Sequence, residues 1–158
     1  MTRDIVLRQA TLSDWPAVAS VLAANRLPLD GAREHLPAYL VAARDGEVVG
    51  CAGAEIYDAL VLVRSVAVAP GLQGQGIGKM LVSGLLQQAR RRRVAALYLL
   101  TNTAPEYFAR FGFRREPIEQ APDALKASAE FQGACPSSAV FMSRPLGERS
   151  DVPALDRI

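Results

Sequence analysis

Histidine and cysteine are scarce in this chain, which has one histidine, His35, and two cysteines, Cys51 and Cys135, among 158 residues. The cysteines stand far apart and form neither a metal-binding nor a redox spacing, so no metal site is expected and free thiols in a reducing compartment are. Excess charge of one sign is missing too: 18 Lys and Arg against 16 Asp and Glu leave +2. Net charge therefore offers nothing to a polyanion, and no nucleic-acid partner is expected. No run approaches the roughly 18 apolar residues of a membrane span. The N-terminus passes from Thr2, Arg3 and Asp4 straight into a strand pattern without an apolar leader. The expectation is a cytoplasmic protein with no membrane partner.

What is present is a chain of one-domain size, half hydrophobic, with its aliphatic residues in short clusters. A core is affordable without disulfides or structural metal. A single domain is expected over residues 1–146 and a polar, mobile tail over residues 147–158.

Ile5 to Gln9 alternates like a strand, and Thr11 to Asp14 supplies capping side chains before Trp15, Val18, Ala19 and Leu22, which recur at helical spacing. Residues 30–36 read as a short second helix ending near Pro37. Asp45-Gly46 is a strong two-residue hairpin signal between residues 39–43 and Glu47 to Tyr57. Leu60 to Val68 is a valine-rich, nearly continuous aliphatic run, as expected of a central strand covered on both faces. Pro70 and Gly71 break it. A glycine-rich turn then leads to a helix with Ile77, Met80, Leu81, Leu85 and Leu86 on one stripe, closed by Arg90 to Arg93. Further expectations are a strand over Ala96 to Thr101, a short helix over residues 104–110, an extended piece from Gly112, a helix over residues 122–131 and a last strand over residues 138–143. This alternation around a long hairpin predicts a mixed α/β (α+β) sheet with helices on both faces.

The most informative segment is Gln73-Gly74-Gln75-Gly76-Ile77-Gly78, followed by Lys79, between the central strand and an amphipathic helix. Bare backbone N–H groups and a helix start make phosphate or pyrophosphate its natural ligand. A dinucleotide fingerprint requires an acidic residue about 20 positions on, and residues 94–100 hold no carboxylate. A P-loop reading fails twice, at Gln73 where the leading glycine belongs and at Met80 where the hydroxyl belongs. What fits is the Q/R-x-x-G-x-G/A loop, carried by Gln73, Gly76 and Gly78.

With that loop, the opening strand and capped helix, the Asp45-Gly46 hairpin, and the segment Tyr107-Phe108-Ala109-Arg110-Phe111-Gly112-Phe113, the chain resembles the GNAT-superfamily N-acetyltransferases over roughly residues 5–146. The resemblance implies a central, mostly antiparallel twisted sheet with a splayed cofactor cleft, and acetyl-CoA as co-substrate. Backbone groups of Val66 and Val68 would hold pantetheine, and the amides of Gln73, Gly74, Gln75, Gly76, Gly78 and Lys79 would hold pyrophosphate. Glycine is needed where a side chain would block close approach.

Two charges interrupt the apolar hairpin. If Asp58-Ala59 is a two-residue turn, Tyr57 faces Leu60, Gly53 faces Arg64, and Glu55 and Arg64 are diagonal neighbours on one face. A structural ion pair is one reading, since a buried charge needs a partner. The other is that Arg64 grips a substrate carboxylate while Glu55 takes the proton of the attacking amine. The strand Val63-Arg64-Ser65-Val66-Ala67-Val68 is similar to that of short N-acetylglutamate-synthase-like proteins, in which the arginine grips an amino-acid carboxylate. Residues 126–131 and 135–139 resemble an arsenic-resistance N-acetyltransferase-like group. The resemblance also makes the N–H of Val66 a donor to the oxyanion. It places a thiolate-protonating tyrosine where this chain has Phe108, so the general acid is unassigned.

The function implied is direct transfer of acetyl from acetyl-CoA to the amine of a small molecule, an amino acid or acidic analogue, by an enzyme that pairs as a homodimer. A non-catalytic acyl-CoA-binding module and a protein N-acetyltransferase are the alternatives. Tyr57, Asn102 and Thr103 sit at strand ends as acceptor contacts. His35 reads as a surface or helix-end histidine, Arg90 to Arg93 as complements to a helix C-terminus, and Cys135 as a packing residue.

Overall fold

The computed structural model describes residues 4–134 and 138–147. Cys135 and most of the predicted tail lie outside them. Seven strands form one sheet: β1 (Ile5–Gln9), β2 (Leu40–Arg44), β3 (Glu47–Tyr57), β4 (Leu60–Val68), β5 (Ala96–Thr101), β6 (Arg114–Arg115) and β7 (Val140–Pro145), in the order β1-β2-β3-β4-β5-β7-β6. Neighbours β1–β2, β2–β3, β5–β7 and β6–β7 are antiparallel. The start of β5 lies beside the start of β4, where Ala95 N donates to Ala59 O at 2.7 Å, so these two strands run the same way. The helices are α1 (Trp15–Ala24), α2 (Ile77–Arg91) and α3 (Pro105–Ala109). The sheet is mixed and mostly antiparallel, as predicted, with β4 at its centre.

The described residues fall into two compact units. The first comprises residues 4–55 and 63–86. Its α1 opens on a capping box in which Thr11 and Asp14 satisfy each other's end of the first turn. Arg8 grips the Asp14 carboxylate at 2.8 and 2.9 Å. Val18, Val21 and Leu22 of α1 share a core with Val41 and Cys51. The neighbours of those two residues point the other way: Leu40 and Leu7 lie against Gly84 of α2, and Gly50 lies against Ile77 and Leu81. Helices therefore cover both faces of β2 and β3. The β2–β3 hairpin turns through Asp45 at φ 53° and Gly46 at φ 82°, the left-handed pair of a type I′ turn.

In the second unit, residues 56–62, 87–134 and 138–147, the cluster of Leu62, Ala121, Leu125 and Phe141 is flanked by Tyr57, Tyr98 and Phe131. The helix α2 ends where Arg93 takes φ 58° and Val94 N reaches back to Ala89 O at 2.9 Å.

Two predicted helices are not formed. Residues 30–35 are successive turns whose N–H groups reach three residues back, as from His35 to Ala32 and from Leu36 to Arg33. Gly31 at φ 78° prevents helical continuation, and Pro37 lies inside the short 3-10 turn Leu36–Ala38 rather than ending a helix. Residues 122–131 split into a 3-10 turn, Asp123–Ala127, and a separate irregular turn, Glu130–Ala134. Ser128 is extended between them, and its hydroxyl caps Glu130 N at 3.1 Å.

Candidate active site

The strand β4 is not regular. Ser65 stands at φ 58°, a left-handed angle rare for a residue with a side chain, in the middle of a valine-rich strand. The ladder slips there. A two-residue turn at Asp58-Ala59 would set Ala69 opposite Val48, yet Ala69 N donates to Val49 O at 2.8 Å. One residue of β4 is thus extra, which is the signature of a β-bulge. Three side chains hold the kink. Tyr39 OH shares a hydrogen bond with Ser65 Oγ at 2.8 Å, Arg64 Nε donates to that same oxygen at 3.1 Å, and the Cys51 thiol donates to Ser65 O at 3.2 Å. The Tyr39 ring lies directly over Gly53, where a Cβ would overlap it. Burial pushes the Tyr39 phenol up, against the pull of the Arg64 charge, and burial pushes the Cys51 thiol up to about 12. Neither group exchanges protons near neutral pH.

Beside the kink sit Glu55 and Arg64, which the structure brings together. Arg64 Nη1 donates to Glu55 Oε2 at 2.7 Å, and both side chains are 0% exposed. The third edge of the guanidinium donates to Pro28 O at 3.3 Å. Arg64 is therefore used on three sides by the protein itself. The other carboxylate oxygen, Oε1, faces His35 Nε2 at 3.6 Å, and the His35 side chain is 33% exposed. Sequence reasoning took His35 for a surface residue; the chain path through residues 26–38 carries it to Glu55, and no periodicity marks that path.

At the far end of β4 the predicted loop is open. Gly74 at φ 82° and Gly76 at φ 88° are left-handed, and a Cβ on either would meet nothing within 4 Å. Gln73, Gly74, Gln75, Gly76 and Lys79 are exposed. Met80 N donates to Gly76 O at 3.1 Å, so the N–H groups of Ile77, Gly78 and Lys79 precede the first helical bond of α2 and form the positive end of that helix. The Gln73 side chain is a brace, donating to Asn25 Oδ1 at 2.9 Å and to Val68 O at 3.0 Å. Asn25, just past α1, donates to Val21 O at 2.9 Å and to Val68 O at 3.1 Å. The Val68 carbonyl is thus taken twice. Sequence reasoning missed Asn25, although an Asn at the end of a predicted helix is a recognisable cap. Val66, one residue beyond the kink, is half-buried.

The remaining candidates lie in the second unit. Tyr57 packs on the Leu62–Phe141 cluster, while Asn102 is exposed and accepts from Ser138 Oγ at 2.9 Å. Phe108 is buried, with its ring 6.0 Å from that of Phe113, and has no proton to give. Burial pushes the neighbouring Tyr107 phenol up, opposed by Arg110. Among the described residues no group of His, Cys, Asp and Glu could hold a metal ion, and no helix is long and apolar enough to cross a membrane.

Residues 6–113 match the family described as acetyltransferase (GNAT). An amino-acid acetyltransferase of Mycobacterium tuberculosis is 35% identical over 127 residues, 74% of this chain and 71% of that protein. A structure of Rv2747 from Mycobacterium tuberculosis, in complex with CoA and NLQ, superposes at TM-score 0.73 with 27% identity, over 90% of this chain and 99% of that one. The N-acetylglutamate synthase of Neisseria gonorrhoeae, complexed with coenzyme A and N-acetyl-glutamate, shares the fold at TM-score 0.77 with 22% identity, over 90% of this chain. This chain spans only 35% of that synthase and 23% of an amino-acid acetyltransferase of Photobacterium profundum.

Proposed function

Because the chain belongs to the acetyltransferase (GNAT) family, we propose that it transfers acetyl from acetyl-CoA directly to the amine of a free amino acid, with glutamate as the first acceptor to test. The observation that carries this reading is a buried carboxylate, Glu55, held by Arg64 in the same compact unit as an open, left-handed glycine loop at the start of α2. The loop fits a pyrophosphate, because the absence of Cβ atoms at Gly74 and Gly76 leaves room beside backbone N–H groups. Gln73 and Asn25 hold that loop in shape rather than touching the ligand with their side chains. The amides from Gln73 to Lys79 would face the phosphates, and backbone groups of Val66 and Val68 would face pantetheine.

Acetyl-CoA supplies an activated acetyl group as a thioester, and the chain does the rest. A free amine is protonated near neutral pH and cannot attack, so Glu55 takes that proton, directly or through a water. Nitrogen then bonds to the carbonyl carbon, the C–S bond breaks, and the second proton that the nitrogen sheds in becoming an amide is taken up by the departing thiolate. The Val66 N–H steadies the developing oxyanion. A thiol with pKa near the ordinary value of about 8.5 leaves readily as thiolate, which makes a dedicated acid dispensable in place of Phe108. Arg64 takes a different role from the carboxylate grip expected of it: with three edges occupied and no exposure, it holds the Glu55 carboxylate in place.

The test is free-thiol release from acetyl-CoA across a panel of amines including glutamate, aspartate, phosphinic amino acids and arsenic-containing analogues. Turnover with an amino acid supports the proposal. Binding of acetyl-CoA without turnover of any amine would make the protein an acyl-CoA-binding module, and turnover only with a peptide amine would make it a protein acetyltransferase.

A further inference from the structure

We infer that His35 is the proton exit of the site, carrying to solvent the proton that Glu55 removes from the acceptor amine. This rests on the preceding reading, which makes Glu55 the proton acceptor. Glu55 has no surface of its own, at 0% side-chain exposure, so a neighbour that reaches water offers a proton gained there a way out before the next turnover. Its Oε2 is held by Arg64, which cannot be deprotonated in a protein. Tyr39 and Cys51, which also pack in this cluster, are tied to Ser65 and hold their protons far above neutral pH. His35 alone of these four reaches both sides, with Nε2 3.6 Å from Glu55 Oε1 and one third of its side chain in water. Imidazole can also take a proton on one ring nitrogen and give one up from the other.

The ring is carried by an anchored segment. His35 N donates to Ala32 O at 3.2 Å, His35 O accepts from Ala38 N at 2.9 Å, and Arg64 holds the same stretch through Pro28 O. The 3.6 Å separation exceeds a formed hydrogen bond, and such catalytic contacts tighten when substrate is bound. The step balances without any electron transfer: a proton leaves the ammonium for Glu55 Oε1, passes to His35 Nε2, and is released to water. Carboxylate and neutral imidazole are thereby restored.

Chemical rescue tests this. In His35→Ala, kcat should fall about tenfold to a hundredfold, short of the roughly 10²–10⁴-fold worth of a direct general base. Affinity for CoA by calorimetry and the melting temperature should stay near wild type. Added imidazole should restore most of the loss in His35→Ala, and none in His35→Gln, where a side chain fills the place. Should His35→Ala fail to fold, His35→Ser serves the same rescue. Wild-type kcat in the truncated variant, or a loss that imidazole does not restore in a folded, CoA-binding variant, would overturn the relay and leave acetyl transfer standing. A wild type that binds CoA but acetylates no amine would overturn both.

Discussion

Replacing Arg64 by Met removes a cation from a place that water does not reach, and the size of the effect can be worked from its contacts. The guanidinium donates at 2.7 Å to a carboxylate, at 3.1 Å to a hydroxyl and at 3.3 Å to a carbonyl, with neither member of the ion pair exposed. Exposed pairs are worth about 0–1 kcal/mol, as expected for Arg114–Glu116, where the arginine is 69% exposed. Removing one partner of a buried pair strands the other charge and costs about 3–5 kcal/mol. A chain of 158 residues loses about 2–4 °C of melting temperature per kcal/mol, so Arg64→Met should melt about 6–20 °C below wild type. Circular dichroism at 222 nm and urea unfolding provide the measurement. In the double variant Glu55→Gln, Arg64→Met the stranded charge is gone, so it should be more stable than the two single losses summed by about 0.5–3 kcal/mol. A loss below about 1 kcal/mol in Arg64→Met, or strict additivity in the double variant, would refute the clamp.

Glu55→Gln keeps the shape but not the base, and should lower kcat about 10²–10⁴-fold near neutral pH, with part of the loss recovered in alkaline buffer where free amine is abundant; a pH–rate profile decides. Gly76→Val puts a branched side chain at φ 88° in the open loop and should abolish CoA binding in calorimetry while the α2 helix signal persists. Asp14 is held near pKa 2 chiefly by its hydrogen bonds to Arg8, below the ordinary value of about 3.9. A depressed carboxylate stabilises the fold above its unfolded pKa and loses that contribution as pH falls through the folded one. Asp14→Asn should therefore lower the urea midpoint at pH 7 and flatten its fall between pH values of about 4 and 2.

The strands Glu47–Tyr57 and Leu60–Val68 were legible to the residue, because Asp45-Gly46 and Asp58-Ala59 punctuate runs rich in valine and alanine. The glycine loop was legible because its backbone requirement is written in residue identity. Residues 30–36 were not, since a polar stretch with one glycine and one proline fits a helix or a set of turns equally well by composition. Ser65 carries no sign of its left-handed angle, and the strand reads as uniform through it. That hidden kink also conceals the surroundings of Arg64. Its charge is visible in the sequence, but the approach of Pro28 and Glu55 from two other stretches of chain is a tertiary fact. His35 and Asn25 escaped for the same reason, each belonging to a connection rather than to a periodic element.

The Ser65 kink has a consequence for how such a chain can change over generations. A left-handed angle costs a residue with a side chain about 1–2 kcal/mol, and glycine would escape that cost. Glycine would also withdraw the hydroxyl that meets Tyr39 and Arg64. Losing the tyrosine hydroxyl first would leave Ser65 strained with one contact fewer, and losing the arginine first would strand Glu55. Changes at positions 39 and 64 therefore each cost stability, and at position 65 the strain that glycine relieves is set against the two hydrogen bonds it removes.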